Sequence, residues 1–89
     1  MARNKVLTDN AWEDYLYWQG HDRKTLRKVN ALIEDAARNG NEGLGKPERL
    51  SGDLAGYWSR RINDKDRLIY QVTDSNVIIL ACRTHYGDR

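Results

Sequence analysis

Two kinds of hydrophobic spacing divide this chain. In the first half, apolar residues recur at helical intervals. Trp12, Tyr15 and Leu16 fall with Gln19 at i, i+3, i+4 and i+7. Leu26, Val29, Ile33 and Ala37 form a second stripe, widened by Leu32 and Ala36. Thr8, Asp9 and Asn10 are good caps for the first helix, Asn10 and Glu13 have capping-box spacing, and Gly20 is placed to end it. Asp22 is placed to cap the second, which Arg38-Asn39-Gly40 closes with a cation and a glycine. In the second half strand signals replace this helical spacing: β-compatible residues from Tyr57, alternation from Arg67 and a continuous apolar run from Val77. Tyr57 to Ile62, Arg67 to Thr73 and Val77 to Thr84 read as strands, separated by the turns Asn63-Asp64-Lys65-Asp66 and Asp74-Ser75-Asn76. Lys5 to Leu7 can form a short first strand, and residues 39 to 47, rich in glycine and asparagine, form a loop.

The order is β-α-α-β-β-β. It predicts an α+β domain in which a two-helix hairpin packs on one face of a small antiparallel sheet. The opposite face of the last three strands is then open. The register that decides which side chains lie there depends on turn length, and a slip of one residue reverses every side chain.

At 89 residues the chain is expected to be one domain, spanning 1–89, with a small core. Three tryptophans and five tyrosines supply the buried area that absent phenylalanine would otherwise give. The net charge of +2 is too mild to establish nucleic-acid binding. Either Lys46, Arg49, Arg60, Arg61, Arg67 and Arg83 are a solvated set of charges, or folding gathers them onto one surface. Cys82 is the single cysteine, so no intramolecular disulfide can form, and its apolar flanks mark it as a small buried hydrophobe. No apolar run reaches membrane-spanning length, and residues 1 to 10 lack a signal core. The expected location is the cytoplasm, with no membrane partner.

Candidate chemistry narrows by elimination. Gly43-Leu44-Gly45-Lys46 lacks the spacing, the Ser or Thr, and the strand-to-helix context of a phosphate loop. His21, Cys82 and His85 match no zinc spacing. Apolar neighbours blunt the Cys82 thiol as a nucleophile. General acid–base chemistry remains. RNA carries its own nucleophile, the 2′-hydroxyl, so cleavage needs a base, an acid for the departing 5′-oxygen and a cation for the phosphorane. Glu48, His85 and Arg67 are the right types, and Tyr86 can stack on or orient a base. By residue type alone, Glu48 is equally a surface carboxylate, His85 a strand-end histidine and Arg67 an ion-pair partner of Asp66 or Asp64.

Five segments together form a recognisable pattern: Trp12-Glu13-Asp14-Tyr15-Leu16-Tyr17-Trp18, Gly43 to Glu48, Leu54 to Ile62, Arg67-Leu68-Ile69-Tyr70, and Cys82-Arg83-Thr84-His85-Tyr86. The chain resembles the YoeB family of bacterial toxins, within the RelE-like ribonuclease superfamily, over nearly its whole length. The resemblance implies a RelE/microbial-ribonuclease-like fold. It also implies a ribosome-dependent endoribonuclease of a type II toxin–antitoxin system, cleaving mRNA in the A site of the 70S ribosome to a 2′,3′-cyclic phosphate and a 5′-hydroxyl. By motif, Glu48 would be the general base, Arg67 the phosphate stabiliser, His85 the general acid and Tyr86 the substrate-positioning group. Arg61, Lys46 and Arg83 would support RNA and phosphate binding. No cofactor or metal is implied.

A YefM-like antitoxin would cover the active face, a homodimer is expected, and operator DNA would be reached only through the antitoxin complex. Two departures stand out. Asp66 occupies a position where family members often carry histidine. Gly87-Asp88-Arg89 follow Tyr86, so no free carboxylate lies at residue 86. The alternative is a non-enzymatic, ParE-like toxin acting on gyrase, or a repressor component bound to its antitoxin.

Overall fold

The structure is a computed structural model and describes residues 2–84. The elements run β1 (Asn4–Leu7), α1 (Asp9–His21), α2 (Arg23–Asn39), β2 (Glu48–Arg49), a 3₁₀ turn (Gly52–Leu54), β3 (Trp58–Arg61), β4 (Arg67–Val72) and β5 (Asn76–Thr84). Both helices start at a side chain that satisfies an otherwise unpaired backbone donor. Thr8 accepts from the Ala11 amide and Asp22 from the Thr25 amide. Thr8, and not the Asn10–Glu13 box, therefore caps α1. Helix α1 also runs through Gly20 to His21 and stops only where Asp22 begins the next helix.

The five strands form one sheet in the order β1-β5-β4-β3-β2. The meander β2-β3-β4-β5 is antiparallel, as expected, but β1 joins β5 in parallel, so the sheet is mixed. Parallel pairing needs a crossover, which the two helices supply. The short β2 adds a fourth strand to the meander, at a place where the sequence shows only loop followed by Pro47-Glu48.

Helices α1 and α2 cover one sheet face. Val29, Leu32, Ile33, Ala36 and Ala37 of α2 pack with Leu68, Tyr70, Val77, Ile79 and Cys82 of the strands. For α2 the predicted stripe is the buried one. For α1 it is rotated: Ala11 and Trp18 are buried, whereas Trp12 is 51% and Leu16 42% exposed. Trp12 instead stacks on Tyr15, with ring centroids 5.9 Å apart. The reason lies in β5. Helix α1 runs along the edge of β5 beyond the end of β1 and turns hydrogen-bonding groups toward it. The Thr8 amide and hydroxyl donate to the carbonyls of Ile79 and Leu80. Asp14 accepts from the Cys82 amide (3.0 Å) and Trp18 Nε1 donates to the Cys82 carbonyl (2.8 Å). These groups do for β5 what a neighbouring strand would do.

The other face carries a smaller cluster, Leu50, Ile69 and Ala81, with Leu54, Tyr57 and Leu80 packed on it. The segment around the 3₁₀ turn thus covers part of this face and leaves the β2-β3-β4 end open. Among the described residues, no helix is long and apolar enough to cross a membrane.

Candidate active site

Strand register settles what the sequence leaves open. Glu48 lies opposite Ser59, Ser59 opposite Ile69, and Ile69 opposite Ala81. Arg61 lies opposite Arg67, and Arg67 opposite Thr84. Paired residues share a face, and so do residues two apart on a strand. Glu48, Arg61 and Arg67 therefore belong to the face away from the helices, in two adjacent cross-strand rows. In an ideal sheet the Cα atoms of Glu48 and Arg67, two strands and one row apart, are roughly 12 Å from each other. A glutamate and an arginine reaching toward each other can flank one phosphodiester across such a span.

Glu48 and Arg61 are exposed and Arg67 is half-buried. Arg67 Nη1 donates to the backbone carbonyls of Asn63 (3.2 Å) and Asp66 (3.4 Å), which holds its stem against the β3–β4 turn. Asp66 itself is buried. Arg61 and Arg67 are like charges directly across from each other, an arrangement that is unfavourable unless an anion joins it. No sequence rule forces this pairing, since the 63–66 turn sets it.

Lys46 is exposed and has φ 53°, a left-handed conformation that non-glycine residues rarely adopt. It directly precedes Pro47 and Glu48, so the chain enters β2 through a constrained corner. Arg83 is exposed, and its guanidinium lies 3.6 Å from the Tyr17 ring centroid, a cation–π contact that ties the end of β5 to α1. The β4–β5 ladder shifts register twice, between Arg67 and Ile69 and between Ile69 and Tyr70. Such bulges re-aim the residues that follow. The calls on His85 and Tyr86 lie outside the described residues.

One residue of the predicted cationic surface is not on it. Arg60 is wholly buried on the helix side of β3, bonded to Asp35 (2.6 Å) and to the Tyr70 hydroxyl (2.9 Å). Alternation along Trp58, Arg60 and Ile62 was the available signal, because it gives Arg60 the inward phase and Arg61 the outward one. Asp35 escaped the sequence reading, since nothing in its helical position distinguishes it from a surface carboxylate. The Arg60 guanidinium holds its carboxyl below the usual aspartate range. The Cys82 thiol is pushed up to about 12 by burial and then by Asp14 and Asp66, so it is the inert hydrophobe that its flanks predicted. Gly43 and Gly45 are turn residues with φ of 119° and 80°. Among the described residues, no three His, Cys, Asp or Glu side chains gather. A cavity of about 620 Å³, lined by Leu7, Trp12, Tyr15 and Ile33 among others, lies by β1 and the helices, away from Glu48 and Arg67.

A family model described as the YoeB-like toxin of bacterial type II toxin–antitoxin systems matches residues 7–86. Toxin YoeB of Streptomyces coelicolor is 52% identical over 81 residues, covering 91% of this chain and 96% of that protein. The structure of a YoeB dimer from Staphylococcus aureus superposes with a TM-score of 0.89 at 45% identity, covering 97% of this chain and all of that one. YoeB in a heterotetrameric YoeB–YefM toxin–antitoxin complex from Staphylococcus aureus gives 0.87 at 45% identity, over 97% of this chain and 100% of that one. With nearly the whole chain matched, it belongs to the YoeB family of toxins of bacterial type II toxin–antitoxin systems.

Proposed function

We propose that this toxin is a ribosome-dependent endoribonuclease that cleaves mRNA in the ribosomal A site. The observation that carries the reading is the pairing of Arg61 with Arg67 on the open sheet face, one row from Glu48. Two opposed guanidinium groups form a site for an anion, and a carboxylate beside it is placed to take a proton. Glu48 removes the proton of the 2′-hydroxyl, and the 2′-oxygen attacks phosphorus. Arg67, with Arg61 and Lys46, stabilises the charge on the phosphorane. His85 donates a proton to the 5′-oxygen as the P–O5′ bond breaks, and Tyr86 holds the nucleotide. The products are a 2′,3′-cyclic phosphate and a 5′-hydroxyl. Arg83 contributes to RNA binding at the end of β5.

The same proposal includes a homodimer, a YefM-like antitoxin that covers the active face, and action in the cytoplasm. The dimer and the YefM complex of the Staphylococcus aureus relatives support a homodimer and a YefM-like partner. Operator DNA is reached through the antitoxin complex. The experiment is mRNA cleavage on programmed ribosomes. Glu48→Ala and Arg67→Ala each lose about 10²–10³-fold in rate. Equal, background-level cutting by wild type and His85→Ala overturns the reading. A DNA-damage response on expression, with translation intact, replaces it with a gyrase-directed toxin.

A further inference from the structure

A guanidinium has five N–H donors in a fixed fork, and burying them unpaired is costly. Arg60 is 0% exposed, and all five donors have acceptors. Nη1 reaches Asp35 Oδ2 (2.6 Å) and the Leu44 carbonyl (3.0 Å), and Nη2 reaches the carbonyls of Gly40 (2.8 Å) and Glu42 (2.9 Å). Nε reaches the Tyr70 hydroxyl (2.9 Å), the one of the five bonds that goes neither to the loop nor to Asp35. Asp35 completes the arrangement by accepting from the Leu44 amide (3.0 Å) and from Asn39 Nδ2 (2.8 Å). Residues 40 to 44 are thus wrapped around one ion pair, with Arg60 fully buried and Asp35 partly so.

The following residues continue the path to Glu48. The Arg61 amide donates to the Gly45 carbonyl at 2.7 Å. A Cβ on Gly43 would overlap Asp35 Oδ2, and one on Gly45 would lie 2.8 Å from Leu32 and 3.2 Å from Arg60 Cβ. The two glycines therefore permit the close approach of the loop to this pair and to the core. Strand β2 has two residues and pairs with β3 alone, at the end of the sheet. So short an edge strand holds no position by itself. Its place is set on one side by what anchors the loop before it and on the other by Leu50, which is buried and whose amide donates to the Tyr57 carbonyl (3.0 Å).

We propose that Arg60, together with Asp35, is a positioning residue for the acid–base site, fixing the 40–47 loop and through it the place of Glu48 beside Arg61 and Arg67. This rests on the reading of Glu48 as the general base. Neither Arg60 nor Asp35 touches substrate; both act through the loop backbone.

The test uses Asp35→Asn, which keeps size and removes charge, and Tyr70→Phe, which removes only the bond to Nε. Both are assayed on programmed ribosomes well below their melting temperatures. Asp35→Asn lowers kcat about 10-fold or more with KM within about twofold, since a displacement near 1 Å can cost about 10²-fold. In a Glu48→Ala background the same change costs no more than about twofold. It also speeds amide exchange at Leu44 and Arg61. Tyr70→Phe lowers Tm and leaves kcat unchanged. Wild-type kcat in folded Asp35→Asn overturns the proposal, as does an equal loss in both backgrounds. Glu48→Ala cleaving at the wild-type rate overturns the acid–base reading instead. That failure is told apart because exchange at Leu44 reports the loop anchor without reference to cleavage.

Discussion

Arg61 and Arg67 sit directly opposite each other in the β3–β4 ladder, on the face that the helices leave open. Like charges in that relation destabilise a sheet by about 0.2–1 kcal/mol. Arg61→Gln should therefore leave the fold as stable as wild type or more so, by up to about 1 kcal/mol in urea titrations, while cleavage falls. An anion that bridges the pair reverses the balance. Replacing chloride with sulfate at equal ionic strength should raise Tm more for wild type than for Arg61→Gln, the variant serving as reference for general salt effects. Equal shifts would remove the anion site.

Lys46 allows charge and backbone to be separated. At φ 53° it occupies a region that costs an L-residue about 1–2 kcal/mol and glycine little. Lys46→Gly should match wild-type stability or exceed it by up to about 1 kcal/mol, whereas Lys46→Ala gains nothing. If the ammonium group serves RNA, Lys46→Gly still loses cleavage. A fully active Lys46→Gly shows that the residue matters only for the turn.

Stability should fall on acidification with a contribution from Asp35. Its folded-state pKa is lowered, chiefly by the hydrogen bond from Arg60. A lowered acid contributes stability that is present above the unfolded value near pH 4 and is lost as pH falls through the folded value. Asp14 has the opposite sign. Burial raises its pKa, so its contribution is present below the unfolded value and lost as pH rises through the folded one. Urea midpoints from about pH 2 to pH 6 should therefore flatten at the acid end in Asp35→Asn. An unchanged acid limb in that variant would contradict the assignment.

Cys82 is buried, with its thiol pushed up to about 12 by burial and nearby carboxylates. A thiol reagent at pH 8 should label it only in denaturant. Rapid labelling of the native protein would mean that the end of β5 opens away from α1.

The Trp18 indole bond to the Cys82 carbonyl is buried and 2.8 Å long. Trp18→Phe strands that carbonyl and should cost about 1–3 kcal/mol, a Tm drop of roughly 4–8 °C per kcal/mol in a domain of this size. Because this bond and Asp14 fix the backbone just ahead of His85, cleavage should fall as well, beyond any loss of folded protein.

The spacing of Leu26, Val29, Ile33 and Ala37 determined α2 and its buried face, because helical period and burial report the same thing there. Period two in Arg67 to Thr73 and the apolar run from Val77 determined β4 and β5. The motif set around Glu48, Arg67, His85 and Tyr86 pointed to the family. Other relations are decided by contacts distant in sequence. The parallel docking of β1 on β5 follows from a crossover of two helices, which no local pattern encodes. The rotation of α1 follows from Asp14 and Trp18 meeting the free edge of β5, sixty-eight and sixty-four residues away. In the sequence alone Arg60 and Arg61 are equivalent cations. Strand alternation separates them, but only the fold brings Asp35, Tyr70 and the 40–44 carbonyls around Arg60 and sets Arg61 against Arg67. A charge is legible in one dimension. Whether it is buried and satisfied or exposed and opposed depends on partners that folding alone assembles.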